Sequence, residues 1–289
     1  VSENFGEYCA TGATVKEQWF HPTSEVSLRY LEFKAAEPSG NPAVVFIPGW
    51  VSLPQGWKIV LREMTRDFDV YYLETREKIS ARIEGKASFS VADIGGDIVA
   101  LIEYLQLKDQ AYFLFGSSLG ATAILEVAGH LPVIPMALVL IGPNAVFRVP
   151  KWGMGIIYLF YPGFFPILKP FIKWYLKHFR LDVKSDPAQY QKYCRALDHA
   201  DPWRLKRAVI PLSRYEVWDR LPSIHTPTLI IGGSKDVLHE PENLRKITEG
   251  LENSAYLDLE TNYMTHSATM VEEVRKYLKH LHFADSTDG

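Results

Sequence analysis

Hydrophobic residues fall into two alternating kinds of stretch along this chain. Short, nearly continuous apolar runs occur at AVVFIP (43–48), VYYL (70–73), AYFLF (111–115), MALVLIG (136–142), TLIIGG (228–233) and AYLDLE (255–260). Runs of this kind suit strands covered on both faces of a sheet. Between them, apolar positions recur at helical spacing in WKIVLREMTRDF (57–68), SVADIGGDIVALIEYLQL (90–107), TAILEVAGHL (122–131), ENLRKITEGL (242–251) and SATMVEEVRKYLKHLH (267–282). Ahead of the first run, ATVKEQWF (13–20) and VSLRYLEFKAA (26–36) show partial period-two alternation on either side of His21-Pro22-Thr23-Ser24, which predicts a hairpin turning there. The whole pattern predicts an α/β fold, a doubly wound, mostly parallel eight-stranded sheet with helices on both faces.

The alternation breaks once. From Ala145 to Pro222 the chain is aromatic, broken by proline and helical in pattern. The expected organisation is therefore a core of residues 1–144 and 223–289 with a helical cap, residues 145–222, inserted after the sixth strand. No acidic residue lies between Val127 and Leu181, where aromatic residues crowd. In PFIKWYLKHFRL (170–181), Lys173, Lys177 and Arg180 follow Lys169 at helical spacing, while Phe171, Ile172, Tyr175, Leu176 and Phe179 fill much of the other side. The simplest expectation is a cap helix, with Pro170 in its first turn, that packs its apolar side over a site and solvates its lysines. The alternative is a lid that touches an anionic membrane surface or guides a negatively charged amphiphile to the pocket. The stretch 152–169 is interrupted by glycine and proline and is short for a membrane span. Either role for the cap predicts an apolar acyl or alcohol pocket.

Composition narrows the field. With 289 residues and 47% hydrophobic content the chain can bury a large core, and a net charge of −3 gives no reason to expect nucleic acid as a partner. Cys9 and Cys194 stand alone, without zinc-ligand spacing, so a reducing, cytoplasmic setting is expected. The first residues lack the basic start and apolar run of a signal peptide, a removed leader being the alternative. Neither HExxH nor GxxxxGK[ST] occurs, and no cofactor or metal is expected.

The candidate chemistry begins at Gly116-Ser117-Ser118-Leu119-Gly120, which fits G-x-S-x-G with Ser118 at its centre, after one expected strand and before an expected helix. A tight strand-to-helix turn crowds its neighbours, and glycines two before and two after the serine remove the clashing Cβ atoms. A serine hydroxyl needs a base to take its proton, and the base needs an orienting carboxylate. In a doubly wound sheet these partners follow later strands. Asp236 stands in the loop after TLIIGG, and His266 in the loop after AYLDLE just before the last helix. His239, His280 and His282 compete with His266 less well, because only His266 follows the last strand at a loop. Asp198, Asp201 and Asp219 fit surface or cap positions, Asp258 falls within a strand pattern, and the loop after the sixth run offers Asn144, not an acid.

Ser118, Asp236 and His266, in that order and context, make the chain resemble the α/β-hydrolase superfamily over roughly residues 13–282. PTLIIGGSKDVLHEP (227–241) resembles that family's strand-to-acid segment, and Pro48-Gly49-Trp50 its oxyanion loop. The resemblance implies an oxyanion hole built from the backbone N–H groups of Trp50 and Leu119. It also implies a serine hydrolase acting on small esters with a hydrophobic part. Thioester, amide and acyl-transfer chemistry on the same triad, or a non-catalytic ligand receptor, remain the alternatives. Two departures stand out: Pro48 replaces the common His, and Glu74-Thr75-Arg76-Glu77-Lys78 replaces the usual Asp-x-Arg-Gly-x-Gly run. The simplest reading of Glu74, Arg76 and Glu77 is a solvated or structural ion-pair cluster.

Overall fold

The computed structural model describes residues 4–37, 40–147, 151–180, 183, 187–235 and 241–287. Its elements run β1 (Thr14–Thr23), β2 (Val26–Lys34), β3 (Ala43–Ile47), α1 (Lys58–Met64), β4 (Val70–Leu73), β5 (Arg82–Ile83), α2 (Val91–Tyr104), β6 (Tyr112–Ser117), α3 (Leu119–Val127) and β7 (Ala137–Ile141). Helices α4 (Lys151–Leu159), α5 (Phe165–Tyr175), α6 (Pro187–Asp198) and α7 (Pro202–Leu212) follow, then β8 (Thr228–Gly232), α8 (Pro241–Gly250), β9 (Ser254–Asp258) and α9 (Ala268–Thr287).

All eight expected strands form one sheet in the order β1-β2-β4-β3-β6-β7-β8-β9, with the two-residue β5 added as a ninth, pairing with β2. β1, β2 and β4 pair antiparallel, whereas β4, β3, β6, β7, β8 and β9 are parallel neighbours. Every residue of β3, β7 and β8 is buried, as continuous apolar runs require when helices cover both faces. Alternate residues serve the two layers. Val45 and Ile47 of β3 meet residues of α2 and α3 on one face, while Val44 and Phe46 meet residues of α1 and α9 on the other.

The hairpin turn falls later than its sequence suggested. β1 continues through His21-Pro22-Thr23, with a register irregularity between Phe20 and Thr23 that accommodates the proline, and the chain reverses at Ser24-Glu25. Between β7 and β8 the described residues hold helices, 3-10 and π turns, and one isolated bridge, Val146 to Glu216.

Helix α5 departs from expectation twice. It starts at Phe165, so Pro170 lies in its interior, and it presents its apolar side outward. Lys169 and Lys173 face Asp198 of α6 at 3.3 and 2.8 Å, because one carboxylate can bind both ammonium groups one turn apart. The side chains of Ile167 and Phe171 are left 76% and 58% exposed. Among the described residues no single helix is long and apolar enough to cross a membrane; the segments Gly153–Leu159 and Pro162–Phe179 together reach that composition but bend by 100° at their break.

Candidate active site

Parallel strands place their C-terminal ends on one edge, and the connections leave β3 and β6 toward opposite faces, β3 into α1 and β6 into α3. That divergence opens a crevice where ligands collect in open α/β sheets. Ser118 stands at the end of β6 beside it, with φ 50° and ψ −115°. A left-handed φ on a non-glycine residue is costly and persists only where the surroundings impose it.

They impose it here from several sides. The Ser118 N–H donates to the Ile141 carbonyl at 2.8 Å, and its carbonyl accepts from the Thr122 N–H at 2.9 Å and the Thr122 hydroxyl at 3.0 Å. The Thr122 oxygen accepts in turn from the Asn144 N–H at 2.9 Å, tying the turn to the loop after β7. A Cβ at Gly120 would lie 2.2 Å from the Ile47 carbonyl oxygen, and one at Gly116 would lie 2.7 Å from Ala121 Cα. The two glycines of the motif are therefore spatial necessities. Ser117 completes β6 opposite Ile141 and is buried, whereas Ser118 is half-exposed.

Next to this turn runs the loop after β3, whose Gly49 would bring a Cβ to 3.2 Å from Ser118 Cβ. Gly49 accepts from the Ser52 N–H at 3.1 Å, closing a turn that holds Val51 at φ 49°. Neither the Trp50 N–H nor the Leu119 N–H finds an acceptor among the described residues. Leu119 opens α3, so the positive end of that helix adds to its N–H.

His266 ends a 3-10 turn, Met264–His266, between β9 and α9. Its Nδ1 lies 2.9 Å from the Asn262 carbonyl oxygen and 3.0 Å from Thr265 Oγ1. A carbonyl can only accept, so Nδ1 is the donor to it, and in the neutral ring the lone pair is then on Nε2. Trp57 lies face to face with the imidazole at 4.2 Å and 30° between planes, and meets Phe115, in the strand leading to Ser118, at 6.2 Å. The indole thus packs against both the histidine and the strand that carries the serine. Asp236 and His239 lie outside the described residues. The loop toward them is anchored at the same sheet edge by Lys235 N–H to the Glu260 carbonyl, 2.7 Å, and Ser234 N–H to Asp258, 2.9 Å.

The competing groups are otherwise engaged. Burial opposes the Asp258 charge, but N–H donors from Glu260 and Ser234 prevail and hold its carboxyl below the usual range. Asp198 binds Lys169 and Lys173, Asp201 caps α7, and His280 is exposed on α9. Sequence reasoning missed Trp57, which the chain offers as one more apolar residue of a helix, and undervalued Asn144. Asn144 Nδ2 donates to Ser118 Oγ at 3.0 Å.

The Glu74–Lys78 loop is buried, not solvated. Arg76 forks onto Asp97 at 2.8 and 2.6 Å, and Glu74 binds Arg29 at 2.6 Å, so these members form structural ion pairs. Arg204 of α7 donates to the Lys78 carbonyl and, at 2.9 Å, to the Ala81 carbonyl. Helix α7 is thereby fixed to the same loop. No group of three or more metal-ligating side chains occurs among the described residues.

Residues 84–267, more than half of the chain, match the family described as serine aminopeptidase, S33. No curated protein matches the chain in sequence. Among solved structures, a thermophilic esterase from Thermogutta terrifontis superposes with a TM-score of 0.74 at 17% identity, covering 92% of this chain and 99% of that one. The enol-lactonase from Burkholderia xenovorans gives 0.71 at 15% identity, covering 91% and 98%. A bacterial membrane phospholipase A gives 0.71 at 18% identity, covering 96% and 88%. At these identities the likeness is one of fold.

Proposed function

The chain belongs to the S33 serine aminopeptidase-like family of α/β hydrolases, and we propose that it cleaves carboxylic esters with a hydrophobic acyl or alcohol part through an acyl-enzyme. The observation that carries this reading is the forced left-handed backbone of Ser118, next to two N–H groups without acceptors among the described residues. Strain at a serine on the ligand-binding edge of the sheet is difficult to explain by packing alone.

In this reading Ser118 Oγ attacks the ester carbonyl while His266 Nε2 takes its proton. The carbonyl π pair moves onto oxygen, where the Trp50 and Leu119 N–H groups stabilise it, each by roughly 3 kcal/mol. The C–O bond to the alcohol breaks as His266 returns the proton to the leaving oxygen. Water repeats the sequence on the acyl-enzyme, releasing the acid and restoring the serine. Asp236 would hold the imidazole and stabilise its charged form. The proton on Nδ1 leaves Nε2 ready to accept, which favours His266 as the base.

We read residues 145–222 as the cap over this site, in contact with a membrane surface. Phe164, Ile167, Phe171, Trp174 and Phe179 recur at three- to five-residue spacing, and all are exposed. Residues 128–180 contain no acid, and the lysines of α5 lie on its other side. Apolar residues outward, with basic residues behind them, is the arrangement of a helix lying in a bilayer interface. The fold likeness to a membrane phospholipase A is consistent with this.

A panel of p-nitrophenyl esters of graded chain length, acyl-thioesters and amino-acid anilides tests the reading. Turnover highest on medium or long acyl esters supports it. A preference for anilides or thioesters would redirect the substrate class, and tight apolar binding without any turnover would favour a receptor.

A further inference from the structure

The loop after β4 places Glu74, Thr75, Arg76, Glu77 and Lys78 in the interior, each 5% exposed or less. Two of its charges end on partners that hold the fold together, Glu74 on Arg29 and Arg76 on Asp97. The third pair points elsewhere. Lys78 Nζ lies 2.5 Å from Glu77 Oε1 and 3.0 Å from Thr75 Oγ1, and it donates to the Gly49 carbonyl at 2.9 Å. Thr75 donates to the same Glu77 oxygen at 2.8 Å.

The Gly49 carbonyl and the Trp50 N–H belong to one peptide unit. Because that unit is planar and trans, fixing the oxygen fixes the direction in which the N–H points, on the opposite side. A cation at the oxygen also draws electron density from the nitrogen, which makes the N–H a stronger donor. The orientation needs an external restraint. Val51, the next residue, is β-branched and held at φ 49°, a conformation that relaxes unless neighbours enforce it. Stability alone explains the pair poorly, since Glu77 Oε2 is buried without a hydrogen-bond partner among the described residues, and a buried ion pair with an unmet oxygen contributes little net stability.

We propose that Lys78, held by Glu77 and Thr75, is a positioning residue that aims and polarises the Trp50 N–H through the Gly49 carbonyl. The proposal rests on the reading of Ser118 as nucleophile and Trp50 as oxyanion donor.

The test uses the double variant Glu77→Gln/Lys78→Met, which removes the donor without leaving a lone buried charge, beside Thr75→Val, which removes one of the contacts orienting Lys78. Measured are kcat and KM on a p-nitrophenyl ester, inhibition by an alkyl trifluoromethyl ketone and the thermal melt. The ketone forms a serine hemiketal whose oxygen occupies the oxyanion position. For the double variant, kcat should fall about tenfold to a hundredfold and ketone affinity by the same factor, with KM within about twofold. For Thr75→Val, both should fall about threefold, in parallel. The second variant carries the test if the first does not fold. Unchanged kcat and ketone affinity in a folded variant, or a loss confined to KM, overturns the proposal while leaving the hydrolase reading intact. A wild type without Ser118-dependent ester turnover overturns both.

Discussion

The indole of Trp57 stacks on the imidazole of His266 with ring centroids 4.2 Å apart. Trp57 is itself fixed by its Nε1–H bond to Ser52 Oγ at 2.9 Å and by an edge contact with Phe46 at 4.8 Å. The proposed base therefore has a rigid wall. Trp57→Leu should lower kcat about tenfold to a hundredfold by loosening the ring, with a smaller effect on KM. It should also destabilise the fold by roughly 2–3 kcal/mol. Steady-state kinetics and urea unfolding check both, and kcat unchanged in the folded variant would show that the stack does not position the histidine.

Arg76 and Asp97 make the buried fork that closes the loop after β4 onto α2. Burial pushes the Asp97 carboxyl up to about 6, against the pull of Arg76. A folded-state value above the ordinary carboxylate range means the native protein holds an extra proton between about pH 4 and 6, so this group's contribution to stability declines as pH rises through that window. Arg76→Met removes the opposing cation. It should cost roughly 3–5 kcal/mol at pH 7 and less at pH 5, where Asp97 can take its proton. Urea titrations at the two pH values read the difference, and an equal deficit at both would contradict the pairing.

Two adjacent glycines of α2 should respond in opposite directions to alanine. A Cβ at Gly95 would stand 2.4 Å from a Val127 methyl and 3.4 Å from the Ala123 carbonyl oxygen, whereas one at Gly96 meets nothing within 4 Å. Gly96→Ala should stabilise by about 1 kcal/mol through helix propensity. Gly95→Ala should destabilise by about 1–3 kcal/mol through forced separation of α2 and α3. Thermal melts of the two variants decide it.

The outward stripe of α5 predicts binding to vesicles. Co-sedimentation with phosphatidylcholine vesicles containing phosphatidylglycerol should recover the protein, and Phe171→Asp/Trp174→Ser should release it without lowering the melting temperature. Failure to bind vesicles, with concentration-dependent dimers in sedimentation velocity, would assign the stripe to a second copy of the chain.

Much of this was legible from local pattern. Runs covered on both faces, helical spacing between them and glycine at position 116 all express constraints acting within a few residues, and the sheet follows. The elbow at Ser118 and the loop position of His266 were readable for the same reason. Contacts across long sequence separations were not. Trp57 meets a histidine more than two hundred positions away, and Lys78 reaches back to Gly49. The facing of α5 was misread because lysine at helical spacing suggests solvent, whereas Asp198, on another helix, draws Lys169 and Lys173 inward.

Reaction with a fluorophosphonate, followed by mass spectrometry of the digested protein, addresses Ser118 most directly. One adduct on the Ser118 peptide is expected, absent in Ser118→Ala and formed far more slowly in His266→Ala. Undiminished modification of Ser118→Ala, or an adduct carried by another residue of the wild type, would contradict the account.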